Sequence, residues 1–279
     1  MLDNKKNIIG VFDSGLGGLS ILKYFLKELP NYHYYYLGDN ARLPYGSKSP
    51  ETIYQYTREA VDFLFKAGCN LIIIACNTAT AQALRRLQTD YLPKYYPHRR
   101  LLGVIRPIAE EIANNKNSKR IGVLGTKATI TSNAYEIELK KIKPSLKVIS
   151  QSAPLLVPLI EENWLNRPET KMILAEYLRP LKKQRVDTVI LGCTHFPFLY
   201  QEIVKIMGKK VFIPNPGALV AKSLKDYLNR HPELGLKPVK KPVRKYYTTD
   251  NPKLFKDLAE RFLAEKINTL KQVRIEAQK

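Results

Sequence analysis

An alternation of short apolar runs and longer amphipathic segments is the feature that most constrains the fold of this chain. Residues 7–12 and 33–37 are short apolar runs, and residues 50–66 have the apolar spacing of a helix. Residues 71–75 are aliphatic at every position, which is typical of a parallel strand that is covered on both faces. We therefore predict an α/β fold with doubly wound parallel sheets.

The strand pattern recurs in the second half of the chain. The apolar run that ends at Ser14 resembles the run that ends at Thr126, and the run before Cys76 resembles the run before Cys193. The two matches occur at nearly equal separations, as expected of a duplicated unit. The repeat predicts two domains of the same fold, related by pseudo-symmetry.

A strong turn signal predicts where the chain returns to its first domain. Residues 214–217 have the sequence Pro-Asn-Pro-Gly, which favours a turn after the second half. We predict a first domain made of residues 1–101 and 216–279, and a second domain made of residues 102–215. The segment from about residue 252 is predicted to be a basic amphipathic helix that docks on the protein's own core.

The net charge of +21 raises the question of a nucleic-acid partner. The excess of basic residues is spread along the chain, with some enrichment towards its end, and no nucleic-acid-binding motif accompanies it. A solvated basic surface is the favoured interpretation, and attraction of an anionic substrate is a second one. We see no signal peptide, no apolar run long enough to span a bilayer and no disulfide framework, so we expect a cytoplasmic protein.

Cys76 and Cys193 each directly follow a predicted buried strand. In open parallel sheets, ligands bind beyond the C-terminal ends of the strands. Residues 77–80 resemble the start of a helix, whose N-terminal dipole would favour the thiolate, and we expect the same arrangement after Cys193. A single free cysteine is usually a small buried apolar residue, which is our interpretation of Cys69. Two cysteines at equivalent positions favour a functional pair.

Asp13, after the first predicted strand, and His195, two positions after Cys193, are candidate polar residues near the thiols. The glycine-rich residues after Asp13 could cradle a phosphate, but they lack the Gly-Lys-Ser/Thr of a P-loop, and the carboxylate would repel phosphate. Asp13 is a candidate site residue and also a candidate N-cap for the following helix. His195 could be the base of a thiol hydrolase, although a residue two positions from Cys193 is poorly placed to pair with it. A metal site has little support without Cys-x-x-Cys spacing. Redox, metal and acid–base roles are all open at this point.

Five motifs together resemble the bacterial glutamate racemases of the aspartate/glutamate racemase family. They are Asp-Ser-Gly-Leu-Gly-Gly at 13–18, Pro-Tyr-Gly at 44–46, Cys-Asn-Thr-Ala at 76–79, Gly-Thr at 125–126 and Gly-Cys-Thr-His-Phe-Pro at 192–197. The resemblance covers nearly the whole chain. It implies two flavodoxin-like domains with one cysteine from each at their interface. It also implies conversion of L-glutamate to D-glutamate for peptidoglycan, without pyridoxal phosphate, metal or nucleotide.

The resemblance also implies a role for each matching residue. Cys76 and Cys193 would be the acid–base residues on the two faces of the substrate Cα, assisted by Asp13 and His195 respectively. The residues implied to bind substrate are Asp13, Ser14, Tyr45, Gly46, Asn77, Thr78, Thr194 and His195, with Thr126 and either Glu161 or Glu162 in addition, of which we favour Glu161. Because no cofactor would absorb the carbanion's charge, preorganised donors must stabilise it.

Two positions depart from the family pattern, and several alternatives stay open. Asn215 stands where an aspartate is more common, and Arg106 adds a positive charge at a variable position; neither belongs to a cysteine motif. The alternatives are a racemase of aspartate or a related amino acid, a basic nucleic-acid-associated protein that keeps the fold, and a thiol hydrolase. We expect glutamate as the small-molecule partner and no membrane span, and the resemblance permits a homodimer.

Overall fold

The computed structural model describes residues 7–275, which form two parallel β-sheets. The strands are β1 (Ile8–Asp13), β2 (His33–Gly38), β3 (Leu71–Ile74), β4 (Arg100–Gly103), β5 (Arg120–Gly125), β6 (Lys147–Ser152), β7 (Thr188–Gly192), β8 (Arg244–Thr248) and β9 (Leu270–Gln272). The first sheet has the order β4-β3-β1-β2-β8-β9, and the second has the order β6-β5-β7. Every strand pair is parallel, which confirms the predicted α/β class.

Twelve α-helices connect these strands within the described residues. They are α1 (Leu19–Glu28), α2 (Pro50–Lys66), α3 (Asn77–Arg86), α4 (Leu92–Tyr95), α5 (Ile105–Asn114), α6 (Lys127–Thr131), α7 (Ala134–Ile142), α8 (Leu156–Glu161), α9 (Pro168–Lys183), α10 (Tyr200–Met207), α11 (Pro216–Arg230) and α12 (Pro252–Leu263). The helix predicted from residues 50–66 has these bounds in the structure. Ser49 caps it by accepting a hydrogen bond from the backbone N–H of Thr52, and Pro50 occupies its first turn.

Both faces of the first sheet are covered by helices. Along β1, Ile9 and Val11 belong to the apolar cluster that contains α1, whereas Ile8 and Phe12 belong to the cluster that contains α2 and α3. This alternation follows from the period of two in a strand. Burial of both faces explains why residues 71–75 are aliphatic throughout. Because the strands are parallel, the polar residues that follow them lie at the same end of the sheet.

The two sheets share one local topology. In the first, β1 lies between β2 and β3, and in the second, β5 lies between β6 and β7. This is the arrangement expected of a repeated unit. We propose that the first domain boundary lies directly after β4, just beyond the predicted 101/102, because β4 pairs with β3 in the first sheet. We propose the second boundary at 215/216, because α11, which starts at Pro216, packs on α1.

The residues that depart from the family pattern are part of the fold. Asn215 is the N-cap of α11, accepting a hydrogen bond from the backbone N–H of Ala218 at 3.1 Å. Its amide also donates to the Tyr24 hydroxyl at 2.8 Å. Arg106 pairs with Glu110 and Glu138 on the protein surface. These contacts give Asn215 and Arg106 a structural role.

The terminal helix α12 docks on the core, as predicted. Phe255 and Leu263 are buried in the cluster that contains α1, while Leu254 is exposed, so the apolar face is narrower than its sequence indicates. No helix among residues 7–275 has the length and apolar character needed to cross a membrane. Over the same range, no three His, Cys, Asp or Glu side chains are grouped as metal ligands.

Candidate active site

A small pocket of about 90 Å³ brings Cys76 and Cys193 together from the two sheets. The other predicted residues that line it are Ser14, Tyr45, Gly46, Asn77, Thr78, Thr126, Thr194 and His195. Asp13 and Glu161 lie behind this lining, each in contact with one of its residues. The structure also adds lining residues that were not predicted as site residues, namely Leu43, Pro44, Ser47, Lys127, Pro154 and Val157.

Cys76 lies between the end of β3 and the start of α3, as predicted. It is the N-cap of that helix, and its Sγ accepts a hydrogen bond from the backbone N–H of Ala79 at 3.5 Å. The Ser14 hydroxyl lies 3.3 Å from the same sulfur. Burial, and to a smaller extent the charge of Asp13, nevertheless raise the pKa of Cys76 to about 12. The expectation that the helix terminus makes Cys76 a thiolate was therefore wrong, because burial outweighs the helix and favours the thiol.

Cys193 follows β7 but does not start a helix. A turn closes from the backbone N–H of Phe196 to the carbonyl of Cys193 at 3.2 Å, a short 3₁₀ segment follows, and α10 begins only at Tyr200. The expectation of equivalent helix starts after both cysteines was therefore wrong. The symmetry of the two sites is limited to the strand and the thiol.

The same turn folds His195 back onto Cys193. The distance from His195 Nδ1 to Cys193 Sγ is 3.8 Å, so the expectation that these near neighbours are poorly placed to pair was wrong. His195 Nε2 lies 2.5 Å from Glu161 Oε1, which identifies Glu161 rather than Glu162 as the carboxylate at the site. Gly17 leaves room for the ring, because a Cβ on this residue would be 2.5 Å from His195 Nδ1.

The protonated form of His195 is favoured by its partners. Burial lowers the pKa of His195, but the hydrogen bonds and charges of Cys193 and Glu161 together raise it well above the ordinary value of 6.5. The ring is almost fully buried. The arrangement can therefore hold a positive charge beside one of the two sulfurs.

Asp13 joins the loop that follows β1 to the segment that contains Cys193. Its Oδ2 accepts a hydrogen bond from the backbone N–H of Gly15 at 3.0 Å, and its Oδ1 accepts one from the Thr194 hydroxyl at 3.1 Å. It is not the N-cap of α1: that residue is Gly18, and no side chain caps the helix. Burial raises the pKa of Asp13 although His195 and these hydrogen bonds act in the opposite direction. Asp13 is therefore a buried carboxyl group whose protonated form is favoured.

Three threonine hydroxyls join the domains on the other side of the pocket. Thr78 Oγ1 is 2.8 Å from Thr126 Oγ1 and 3.1 Å from Thr129 Oγ1, and the last two are 3.0 Å apart. Gly46 packs against this cluster so closely that a Cβ would be 2.5 Å from the Thr126 Cβ. Sequence reasoning found Thr78, Thr126 and Gly46 but missed Thr129, which its position one turn after Thr126 would have indicated.

The Tyr45 side chain is held away from the pocket at its hydroxyl end. That hydroxyl donates to Asp39 Oδ2 at 2.5 Å, and the carboxylate is further held by Arg42 and by the Thr249 hydroxyl. The ring packs against Phe12. Tyr45 can therefore meet a ligand with its backbone and ring edge rather than with its hydroxyl. Asp39 was missed as a supporting residue, although its place after β2 was a signal.

Comparisons with known proteins agree with this geometry. A family profile described as Asp/Glu/hydantoin racemase matches residues 19–221. The chain is 39% identical to a glutamate racemase of Geobacter metallireducens over 97% of this chain and 98% of that protein. It is similar to the crystal structure of a Bacillus anthracis glutamate racemase, with a TM-score of 0.89, 34% identity and coverage of 98% and 99% of the two chains.

A second solved structure is similar and contains a ligand. It is the glutamate racemase of Francisella tularensis in complex with D-glutamate, with a TM-score of 0.87, 34% identity and coverage of 98% of this chain and 99% of that chain. The profile match spans most of the chain, and the relatives are similar over nearly their whole length. The chain is therefore a member of the Asp/Glu racemase family, and it is a racemase.

Proposed function

We propose that this protein interconverts L-glutamate and D-glutamate by proton transfer at Cα between two thiols. The observation that carries the proposal is that Cys76 and Cys193, which follow strands of different sheets, line the same pocket. One acid–base group on each face of Cα is what racemisation without substrate reorientation requires. The glutamate racemase relatives, one of them solved with D-glutamate, support glutamate as the substrate.

The two thiols have unequal surroundings. Cys76 is held as the thiol by burial. A protonated His195 places a positive charge 3.8 Å from the Cys193 sulfur, where it faces the negative charge that this sulfur carries when it acts as the base. In one direction, the Cys193 thiolate removes the Cα proton and the Cys76 thiol delivers its own proton to the opposite face. The two sulfurs then hold exchanged protonation states, and Asp13 and His195 are the nearby groups that return a proton.

In this proposal, hydrogen-bond donors rather than an arginine side chain stabilise the carbanion and bind the substrate carboxylates. The first turn of α3 presents backbone N–H groups beside Cys76, and Asn77, Thr78 and Thr126 line the same pocket. The scheme routes no step through a cofactor, because one sulfur accepts the Cα proton and the other delivers its own. The excess of positive charge would also attract a dicarboxylate to the protein.

We further propose a biological setting for the reaction. D-Glutamate made by this racemase would supply peptidoglycan synthesis, with the protein in the cytoplasm, as the family resemblance implies. A racemase of aspartate is the second candidate, since the thiol pair itself does not select a side-chain length. The 90 Å³ pocket is small, so the relatives' names rather than its size favour glutamate.

A substrate panel with three cysteine variants tests the proposal. Purified protein is incubated separately with L-glutamate and L-aspartate, and the enantiomers are separated by chiral chromatography. We expect D-glutamate, and little D-aspartate. Cys76→Ala and Cys193→Ala should each lower turnover by about 10²–10⁴-fold or more. Cys69→Ala is the matched control, because this buried cysteine lies in the core and should leave turnover near the wild-type value.

Two results would contradict the proposal. Folded wild-type protein that makes D-aspartate but no D-glutamate would support the second candidate. Turnover near the wild-type value in either the Cys76 or the Cys193 variant would refute the two-thiol scheme, even if glutamate is the substrate.

A further inference from the structure

Tyr135 contacts both of the segments that contain the pocket cysteines. Its hydroxyl donates to Asn77 Oδ1 at 2.6 Å, and Asn77 directly follows Cys76. A Cβ on Gly192, the residue before Cys193, would be 3.1 Å from Tyr135 Cε2, so the tyrosine ring lies against that backbone. The side chain is almost fully buried in α7, which belongs to the half of the chain that contains Cys193.

The hydrogen bond from Tyr135 determines which end of the Asn77 amide is free. Asn77 lines the pocket and is almost fully buried. With Oδ1 engaged by the tyrosine hydroxyl, the Nδ2 group is the part of the amide left for a ligand. Nδ2 is a donor, and the ligand proposed for this pocket is an anion. Burial raises the pKa of Tyr135, so its hydroxyl stays protonated and remains a donor over the working pH range.

We infer that Tyr135 is a positioning residue of this racemase. Its hydroxyl fixes the Asn77 amide so that the NH2 group faces a carboxylate of the substrate, and its ring supports Gly192 beside Cys193. The inference rests on the proposed function, because it takes a dicarboxylic amino acid as the ligand. Without the hydroxyl, the Asn77 amide is free to turn and to present its oxygen to the substrate. The amide oxygen would then repel the substrate carboxylate.

The first test is the Tyr135→Phe variant, which keeps the ring and removes the hydroxyl. We expect KM for L- and D-glutamate to rise about tenfold, with a smaller change in kcat, because a donor to the bound substrate is lost. Tyr34→Phe is the matched control: Tyr34 is also buried and donates to a backbone carbonyl, that of Leu29 at 3.0 Å, but it lies outside the pocket. This variant should lose thermal stability without a change in KM.

A second test asks whether the effect passes through Asn77. In the Asn77→Ala background, Tyr135→Phe should change KM by less than about twofold, because the amide that it orients is absent. Asn77→Asp leaves Tyr135 intact and keeps an acceptor for its hydroxyl, but presents a carboxylate oxygen to the substrate. We expect this variant to raise KM at least about tenfold. It also keeps the inference testable if Tyr135→Phe does not fold.

The outcomes separate this inference from the proposed function. A wild-type protein that does not racemise glutamate refutes the proposed function directly. A wild-type protein that does so, together with a folded Tyr135→Phe variant of unchanged KM, overturns only the inference. The same holds if Tyr135→Phe has its full effect in the Asn77→Ala background, or if Asn77→Asp has the wild-type KM.

Discussion

His195 bridges Cys193 and Glu161, with its Nδ1 3.8 Å from the Cys193 sulfur and its Nε2 2.5 Å from Glu161 Oε1. Cys76 has different neighbours, the Ser14 hydroxyl and the first turn of α3. The two thiols therefore line one pocket but have different neighbouring groups. Because of this asymmetry, the contribution of His195 and Glu161 to the mechanism can be tested separately from that of the thiols.

Glu161→Gln should lower kcat/KM for glutamate by about tenfold or more, because a carboxylate that orients an imidazole supports its basicity and its position. The measurement is steady-state racemisation in both directions. Glu162→Gln is the matched control, since the neighbouring glutamate is exposed. An equal loss in the two variants would contradict a specific role for Glu161.

The stability of the protein should depend on pH through His195. Cys193 and Glu161 raise the pKa of this residue above 6.5 in the folded state despite its burial. The resulting stabilisation is complete below pH 6.5 and is lost as the pH rises through the folded-state value. Between pH 7 and pH 10, the Tm of the wild type should therefore fall by about 2–4 °C more than that of Glu161→Gln. Thermal unfolding at both pH values measures this difference, and equal slopes would contradict it.

Gly17→Ala should impair catalysis by displacing His195. The added Cβ would be 2.4 Å from Thr194 Oγ1 and 2.5 Å from His195 Nδ1, closer than real side chains approach. We expect kcat/KM to fall about tenfold or more, because small displacements of acid–base groups are costly. Gly122→Ala is the control: its Cβ meets only flexible side chains of the second domain, the nearest atom being Leu181 Cδ1 at 3.1 Å. Full activity in Gly17→Ala would contradict the proposed placement of His195.

Local sequence signals predicted β3 and the helices α2 and α3 of the first domain. Residues 71–75 are apolar at every position because β3 is covered on both faces. Ser49 and Pro50 mark the start of α2. The Asn-Thr-Ala-Thr after Cys76 is a good helix start, and α3 begins there. These features depend on residues close in sequence, so periodicity and capping rules suffice to find them.

Contacts across the pocket could not be predicted in the same way. Tyr135 meets Asn77, and Thr194 meets Asp13, over long separations in the chain, and neither spacing nor composition indicates such pairs. The protonation of Cys76 was misjudged because the helix terminus is visible in the sequence, whereas complete burial is a property of the assembled domains. The turn that brings His195 to Cys193 likewise became evident only from the backbone.

Solvent exchange at Cα tests the central claim most directly. The purified wild-type protein is incubated with L-glutamate in D2O, and the deuterium content of the D-glutamate formed is measured by mass spectrometry. Two thiols that exchange protons with solvent predict D-glutamate with deuterium at Cα. D-Glutamate that keeps its original Cα hydrogen, or no D-glutamate from correctly folded protein, would contradict the account.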